Sequence, residues 1–373
     1  MKRRRIIALL LVAALTFSLM ACGSPETEGG TETGTEAENT VETSDENADT
    51  EEKVPLKISH HPYLHGLPST YAIENHLYDG FDYTIDYYSG GPVQNEAIAS
   101  GAWEVGTTGI AGAVLGITGY NMKVLGIAYD EDYVTDMWCR SDSPLASAER
   151  GENGILGTAD DWRGLTVLTA TGTNVHLMLI ATLEALGLTE EDVNIIDCSS
   201  VPNVYTAFMA GEGDVACIWA PYGYTLEEDD AYTKVGTVQD LGISLPALVV
   251  CTEEAYNNRP EVVEEWLGIY YEACDGLMAD IDSAAQMMYN FSEEQGIVMS
   301  EEASYQEFVQ RPLWSAADNE EYFVENDSGT SKIYDIMMTY ADFMLSQGKI
   351  TQEQRDAMAE GDWCSDMILN VIQ

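Results

Sequence analysis

Basic residues are scarce in this chain: 16 Lys and Arg stand against 64 Asp and Glu in 373 residues, a formal net charge of −48. Binding nucleic acid or an anionic lipid surface requires clustered Lys and Arg, so both are excluded as partner classes. Four of the few cations are spent in one run, Lys2 to Arg5, which leaves the remainder more acidic still. That balance favours solubility and carries no information about fold. The apolar run from Ile6 to Met20 falls short of the roughly 20 residues a spanning helix needs, so a retained membrane span is not expected there. Cysteines 139, 198, 217, 251, 274 and 364 show neither Cys-x-x-Cys nor zinc spacing. Histidine is rare as well. The dense stretch His60-His61-Pro62-Tyr63-Leu64-His65 lacks the spacing of a tetrahedral zinc site, so no metal is assigned. Acidic runs such as Glu227 to Asp230 lack the glycine and terminal glutamate of a calcium loop and read as solvated faces. No Ser/His/Asp set or Gly-x-Ser-x-Gly elbow is present, so no catalytic residue and no cofactor is assigned.

What is present begins with an export signal. A basic start, a short apolar stretch and a small residue before Cys22 make a secretory leader. Leu19-Met20-Ala21-Cys22 resembles a bacterial lipobox, although Met20 stands where a small residue is usual. The resemblance implies a diacylglycerol on Cys22 and a membrane tether through it. From Gly23 to Lys53 there is no aromatic residue and almost no aliphatic one, and acids recur throughout. Such a segment cannot bury enough to fold and serves as a spacer reaching about 30 Å. The expected division is a leader over 1–21 and a tether over 22–53, followed by a folded part from Val54. Export permits disulfides. Because Cys139, Cys217 and Cys251 sit in apolar runs, mostly free thiols are expected, with a Cys139–Cys251 bridge as the alternative.

From Val54 short apolar runs alternate with helical stretches, the signature of an α/β fold with mainly parallel sheets. Strands are expected at Val54–His60, Asp82–Tyr88, Glu104–Thr107, Met122–Tyr129 and Asp136–Arg140. A second set follows at Leu165–Thr169, Val193–Asp197, Val215–Trp219 and Leu245–Thr252. The last is continuously apolar, which predicts burial on both faces. Helices are expected at 91–99, 109–119, 174–186 and 201–210, and the chain from Arg259-Pro260 onward reads as nearly all helical.

Ligands of open α/β sheets bind beyond the carboxyl ends of strands, where loops enter helices. Gly172-Thr173-Asn174 follows a strand and opens a helix, offering free N–H groups and a hydroxyl; helix capping is the alternative role. Ser89-Gly90-Gly91-Pro92 and Thr108-Gly109 stand in the same context, and Tyr129 ends a strand. Trp219 and Tyr222 end another with large amphipathic surface, suited to enclosing a ligand or to core packing. His60 or His61 is expected at the cleft mouth, with His61 the candidate contact.

The motif order resembles the solute-binding proteins of ABC importers for nitrate, taurine, alkyl sulfonates and thiamine-pyrimidine precursors. The matching stretches are Tyr88-Ser89-Gly90-Gly91, Ala99-Ser100-Gly101, Val105 to Gly109, Arg140 to Pro144, Asp161 to Gly164, Thr171-Gly172-Thr173, Ala210 to Asp214 and Trp219 to Tyr222. The resemblance implies a type II periplasmic-binding fold, two α/β lobes joined by two crossings, with a small molecule in the cleft. Lobe one would hold 54–136 and 253–373, lobe two 137–252, with crossings near Tyr133–Met137 and Thr252–Ala255. It also implies a monomer that meets a permease with its ATPase at the outer face of the cytoplasmic membrane, in a Gram-positive setting. Ala220 departs from the pattern, since relatives often carry Asp or Glu between Trp and Pro. The candidate cleft loops contain no Lys or Arg, so an anion would rest on N–H dipoles, hydroxyls and histidine. A neutral heteroaromatic ligand fits the same loops. Two other readings stand beside transport: a surface sensor, and an enzyme of the pyrimidine-synthesis type, whose cysteine-rich run this chain lacks.

Overall fold

The computed structural model describes residues 53–327 and 329–372; the leader, Cys22 and most of the acidic spacer lie outside the described residues. Among the described residues ten strands make two five-stranded sheets. In chain order, β1 (Val54–His60), β2 (Phe81–Tyr87), β3 (Val105–Gly109) and β4 (Lys123–Asp130) enter the first sheet. The second holds β5 (Thr135–Arg140), β6 (Thr166–Thr169), β7 (Asn194–Asp197), β8 (Val215–Trp219) and β9 (Tyr232–Thr237), and β10 (Pro246–Cys251) returns to the first. The spatial orders are β2-β1-β3-β10-β4 and β7-β6-β8-β5-β9. This is the type II periplasmic-binding fold, two α/β lobes with mixed sheets.

Both sheets are parallel in part and broken by one reversed strand. β1 runs parallel to β2 and β3, and β6 parallel to β7 and β8. β10 lies antiparallel between β3 and β4, and β5 antiparallel between β8 and β9. Each reversed strand is the first one after a crossing. Strands that end at the cleft point their carboxyl ends toward it, so a chain crossing directly into the other lobe must start at the cleft and run away.

This topology corrects the expected path of the second crossing. The run Leu245–Thr252 was expected in lobe two with a return near Thr252–Ala255, but β10 is hydrogen-bonded inside the first sheet. The return therefore lies between Thr237 and Pro246. All six β10 residues are buried, which accounts for the apolar run; covering on both faces does not specify which sheet does the covering. The first crossing lies between Asp130 and Thr135, so Asp136 already belongs to the second sheet. β9 was not foreseen, because Tyr-Thr-Lys-Val-Gly-Thr carries too little apolar character to stand out.

The six described cysteines are free, with Cys139 in β5 of one sheet and Cys251 in β10 of the other. Burial pushes the thiols of Cys217, Cys251 and Cys274 well up, as expected of small apolar fillers. Two small-residue helices, Gly91–Ile98 and Ile110–Tyr120, meet at the cleft end of the first sheet. A Cβ on Gly91 would fall 2.6 Å from Gly112 Cα, so glycine at both positions permits this approach. The chain after β10 is helical, and Val263, Trp266, Leu267 and Tyr270 of helix Pro260–Ala279 are buried.

Candidate interlobe binding site

The loops leaving β1 and β3 face those leaving β6 and β8, and the lobes touch there. Asn174, first residue of helix Asn174–Ala185 in lobe two, accepts the Ala111 N–H of lobe one on Oδ1 at 3.1 Å. Its Nδ2 donates to Glu131 Oε2 at 2.9 Å. Gly109 makes room for this bridge, since a Cβ there would meet Asn174 Nδ2 at 2.8 Å. Enclosed behind it is a cavity of about 20 Å³, room for about one water. Its walls are His61, Tyr63 and His65 after β1, Gly91, Pro92, Gly109 and Gly112 at helix starts, and Glu131 on the first crossing. Gly172, Thr173, Asn174, Trp219 and Ala220 come from lobe two, and Arg311 from the C-terminal helical region.

Arg311 sets the electrostatics. Its side chain is 1% exposed and pairs with Glu307 one helical turn earlier, itself 0% exposed. The Tyr129 ring lies 5.3 Å from the guanidinium, and Nη1 is 3.7 Å from Glu131 Oε1. Burial drives the Glu131 carboxyl up to about 7, against the pull of Arg311 and the Asn174 hydrogen bond. Burial also holds His61 down to about 4 and His65 well below the usual imidazole range, so both are neutral. Tyr129 Oη bonds His65 Nδ1 at 2.7 Å, which leaves His65 Nε2 turned toward Glu131 at 3.8 Å. Tyr63 packs edge-on against Trp219 and Tyr222, with ring centres 6.1 and 6.3 Å away.

The polar atoms left over are informative. His61 Nε2, His65 Nε2, Tyr63 Oη, Trp219 Nε1 and Arg311 Nη2 are buried with no hydrogen-bond partner among the described residues, and all belong to cavity-lining residues. Buried polar groups are nearly always paired. Arg311 Nη2 and Trp219 Nε1 are donors, Tyr63 Oη can donate or accept, and each imidazole nitrogen takes the role its tautomer sets; all line one space, which suits a molecule carrying acceptor atoms. Among the described residues no group of three or more His, Cys, Asp and Glu is arranged to hold a metal ion.

Of the residues singled out in the sequence, His61, Gly109, Gly172, Thr173, Asn174 and Trp219 line the cavity. The others do not. Ser89 is exposed and Gly90 caps helix Gly91–Ile98, while Gly91 and Pro92 supply the wall. Thr108 is buried, its Oγ1 lying against Gly91 and Gly112 rather than in the cavity. Tyr129 acts from behind by holding His65, and Tyr222 flanks Tyr63. The Thr173 hydroxyl turns back to donate to Ala170 O at 2.7 Å. His60 faces the core, bonded to Thr107 Oγ1 and Ser69 Oγ at 2.7 and 2.8 Å. The candidate loops hold no Lys or Arg, but Arg311 enters the cavity from the C-terminal helical region, so an anion would not rest on N–H dipoles, hydroxyls and histidine alone. Tyr63, His65, Glu131 and Ala220 also went unassigned; the histidine-dense stretch was the one signal pointing toward the first two.

Residues 140–284 match the profile of the family described as NMT1/THI5 like. A protein of Brachyspira hyodysenteriae, provisionally named an ABC transporter periplasmic binding protein, is 29% identical over 315 residues, covering 83% of this chain and 87% of that one. Among solved structures, the alkanesulfonate-binding protein SsuA of Xanthomonas axonopodis pv. citri, bound to MOPS, superposes with a TM-score of 0.67 at 17% identity, over 84% of this chain and 99% of that chain. The aliphatic sulphonate binding protein SsuA of Escherichia coli gives 0.65 at 16% identity, over 84% and 98%. At these identities the superpositions establish the fold.

Proposed function

We propose that this protein is the extracytoplasmic solute-binding component of an ABC importer, which captures a small molecule between its lobes and presents it to a permease. The observation that carries this reading is the interlobe cavity, lined by residues of both lobes and by Arg311 that carry unpaired buried polar atoms. Ligand-biased closure about two crossings is a sufficient mechanism and requires no catalytic group. The family profile and the Brachyspira relative support the same reading. In this proposal a lipid on Cys22 holds the protein at the outer face of the cytoplasmic membrane, and the acidic spacer lets it turn toward the permease.

For the cargo, the donor set favours a compact oxoanion such as a sulfonate or nitrate, with Arg311 Nη2, Trp219 Nε1 and Tyr63 Oη as its partners. A pyrimidine-like solute is the second reading. It draws on the acceptor oxygens of Glu131 and on the Tyr63 and Trp219 rings.

A thermal-shift screen of the mature protein against sulfonates, nitrate, pyrimidines and aromatic acids tests the proposal. A solute at about 100 times its Kd adds roughly 2.7 kcal/mol, a rise of a few degrees in Tm. No shift with any class, together with no small molecule released from the denatured protein, refutes it.

A further inference from the structure

Glu131 is the cavity-lining side chain that stands on a crossing between the lobes. Its backbone N–H donates to Leu245 O at 2.9 Å, tying the first crossing to the second. Its carboxyl group lies between groups of both lobes: Asn174 Nδ2 of lobe two at 2.9 Å, His65 Nε2 of lobe one at 3.8 Å and Arg311 Nη1 at 3.7 Å. Asn174 is the bridge to Ala111, so a rotation that opens the cleft withdraws the neutral partner covering Glu131 and admits water.

The charges around this carboxyl do not balance. His65 faces it from the loop after β1, with the His61 ring packed against His65, and Tyr129 and Asp130 act on it from the end of β4. Asp132 follows it in the chain, and Tyr340 packs nearby from helix Lys332–Ser346. The end of helix Glu301–Gln310 supplies Arg311 together with Glu307, which already takes the guanidinium. Lobe two adds only the uncharged Asn174. One shared cation thus serves two buried carboxylates, with two more acids on the same turn. An anionic ligand beside Arg311 adds to that imbalance.

We propose that closing the cleft takes up one proton at Glu131, so that an anionic solute is captured together with a proton. The second clause rests on the solute-binding reading above; the first does not. Chemically the step is the protonation of one carboxylate by solvent. The neutral acid still accepts from Asn174 through Oε2, and its O–H on Oε1 becomes one more donor at the cavity.

The sign follows from hydration. In the closed cleft burial holds the carboxyl near 7, and in an open, hydrated cleft it returns toward its ordinary value of 4.5. Between these values the closed form binds a proton that the open form lacks. The closed-to-open ratio therefore falls by up to about tenfold per pH unit as pH rises through that window, and levels off above it.

Small-angle X-ray scattering of the ligand-free protein from about pH 5.5 to about 8.5 reads the lobe arrangement. Infrared difference spectra over the same range read the protonated carboxyl band. Wild type is expected to open as pH rises and to lose a carboxyl band near 7. Glu131→Gln keeps the shape and the Asn174 contact of the neutral acid; it should stay closed throughout and, in an Asp136→Asn background that removes the other carboxyl burial holds near 7, lack the band. Asp132→Asn, its neighbour, should keep the wild-type opening and the band near 7, losing only a component near 6. Scattering that does not change with pH in wild type overturns the proposal. So does a Glu131→Gln variant that opens with the wild-type midpoint or, in the Asp136→Asn background, keeps the carboxyl band near 7. Because no solute is added, these outcomes are independent of the transport reading.

Discussion

Two buried polar clusters start from the same strand end and have opposite character. His60 closes a chain in which Nδ1 meets Thr107 Oγ1 at 2.7 Å and Nε2 meets Ser69 Oγ at 2.8 Å. Ser69 then meets Tyr78 Oη at 3.0 Å, and Trp266 Nε1 donates to the same oxygen at 3.0 Å. His65, a few residues on, has one nitrogen satisfied by Tyr129 and the other unpaired beside Glu131. Around it Arg311 Nη2, Tyr63 Oη and Trp219 Nε1 are unpaired too. The first cluster has used up its hydrogen-bonding capacity inside the protein and pins β1 to the helices behind it. The second has capacity left in a shared cavity, and an incomplete buried network is where a partner from outside is expected to complete the pairing.

The sharpest way to break this comparison is Arg311→Met. It leaves Glu307 buried without its cation, and breaking such a pair costs about 3–5 kcal/mol in urea unfolding. A second change, Glu307→Gln, should restore part of that loss while solute binding stays absent. Little loss from Arg311→Met alone would mean that the buried Arg311–Glu307 pair contributes little net stability. His60→Leu comes next. It removes the imidazole partner of Thr107 and Ser69, which keep their bonds to His65 O and Tyr78 Oη, at about 0.5–1.5 kcal/mol per bond lost, yet solute affinity of the folded protein should not change. An equal fall in affinity would merge the two clusters into one site.

The His60→Leu penalty should itself depend on pH. Burial holds His60 down to about 3, whereas the unfolded chain titrates near 6.5. The stability from keeping it neutral is complete above about 6.5 and is lost as pH falls toward 3, because the unfolded state then takes the proton. The gap between wild type and variant should narrow by about 1.4 kcal/mol per pH unit in that window. A gap that stays constant would place His60 in contact with water. The smallest expected effect on stability is that of Trp219→Phe, within about 1 kcal/mol in urea unfolding, with solute affinity reduced about tenfold through the lost Nε1 donor. Unchanged affinity would mean Trp219 only packs against Tyr63.

Much of the scaffold was legible because strands and helices declare themselves locally. β1 and β8 carry the bounds their apolar runs predicted, and Gly172 to Asn174 open a helix at the cleft as the strand–loop–helix order implied. Ser89 misled because strand-to-helix context places a loop at the correct end of a sheet without aiming its side chain. His60 and His61 were interchangeable in sequence. Alternation along β1 turns the first into the core, and the second lines the cavity. Glu131 and Arg311 were hidden for another reason. One is an acid among 64, the other the residue after an ordinary amphipathic helix, and neither has a local signature.

The amino-acid sequence by itself determined the acidic balance, the alternation of strands and helices and the glycine-rich loops, since each depends on composition or on neighbours in the chain. Tertiary structure decided which sheet takes β10, which histidine is sealed and which is open, and how Arg311 reaches Glu131. Those outcomes depend on contacts such as that of Glu131 with Arg311, 180 positions apart in the chain, and of Tyr78 with Trp266, 188 apart. Their energies come from burial and pairing that exist only once both lobes and the C-terminal helices have closed around them.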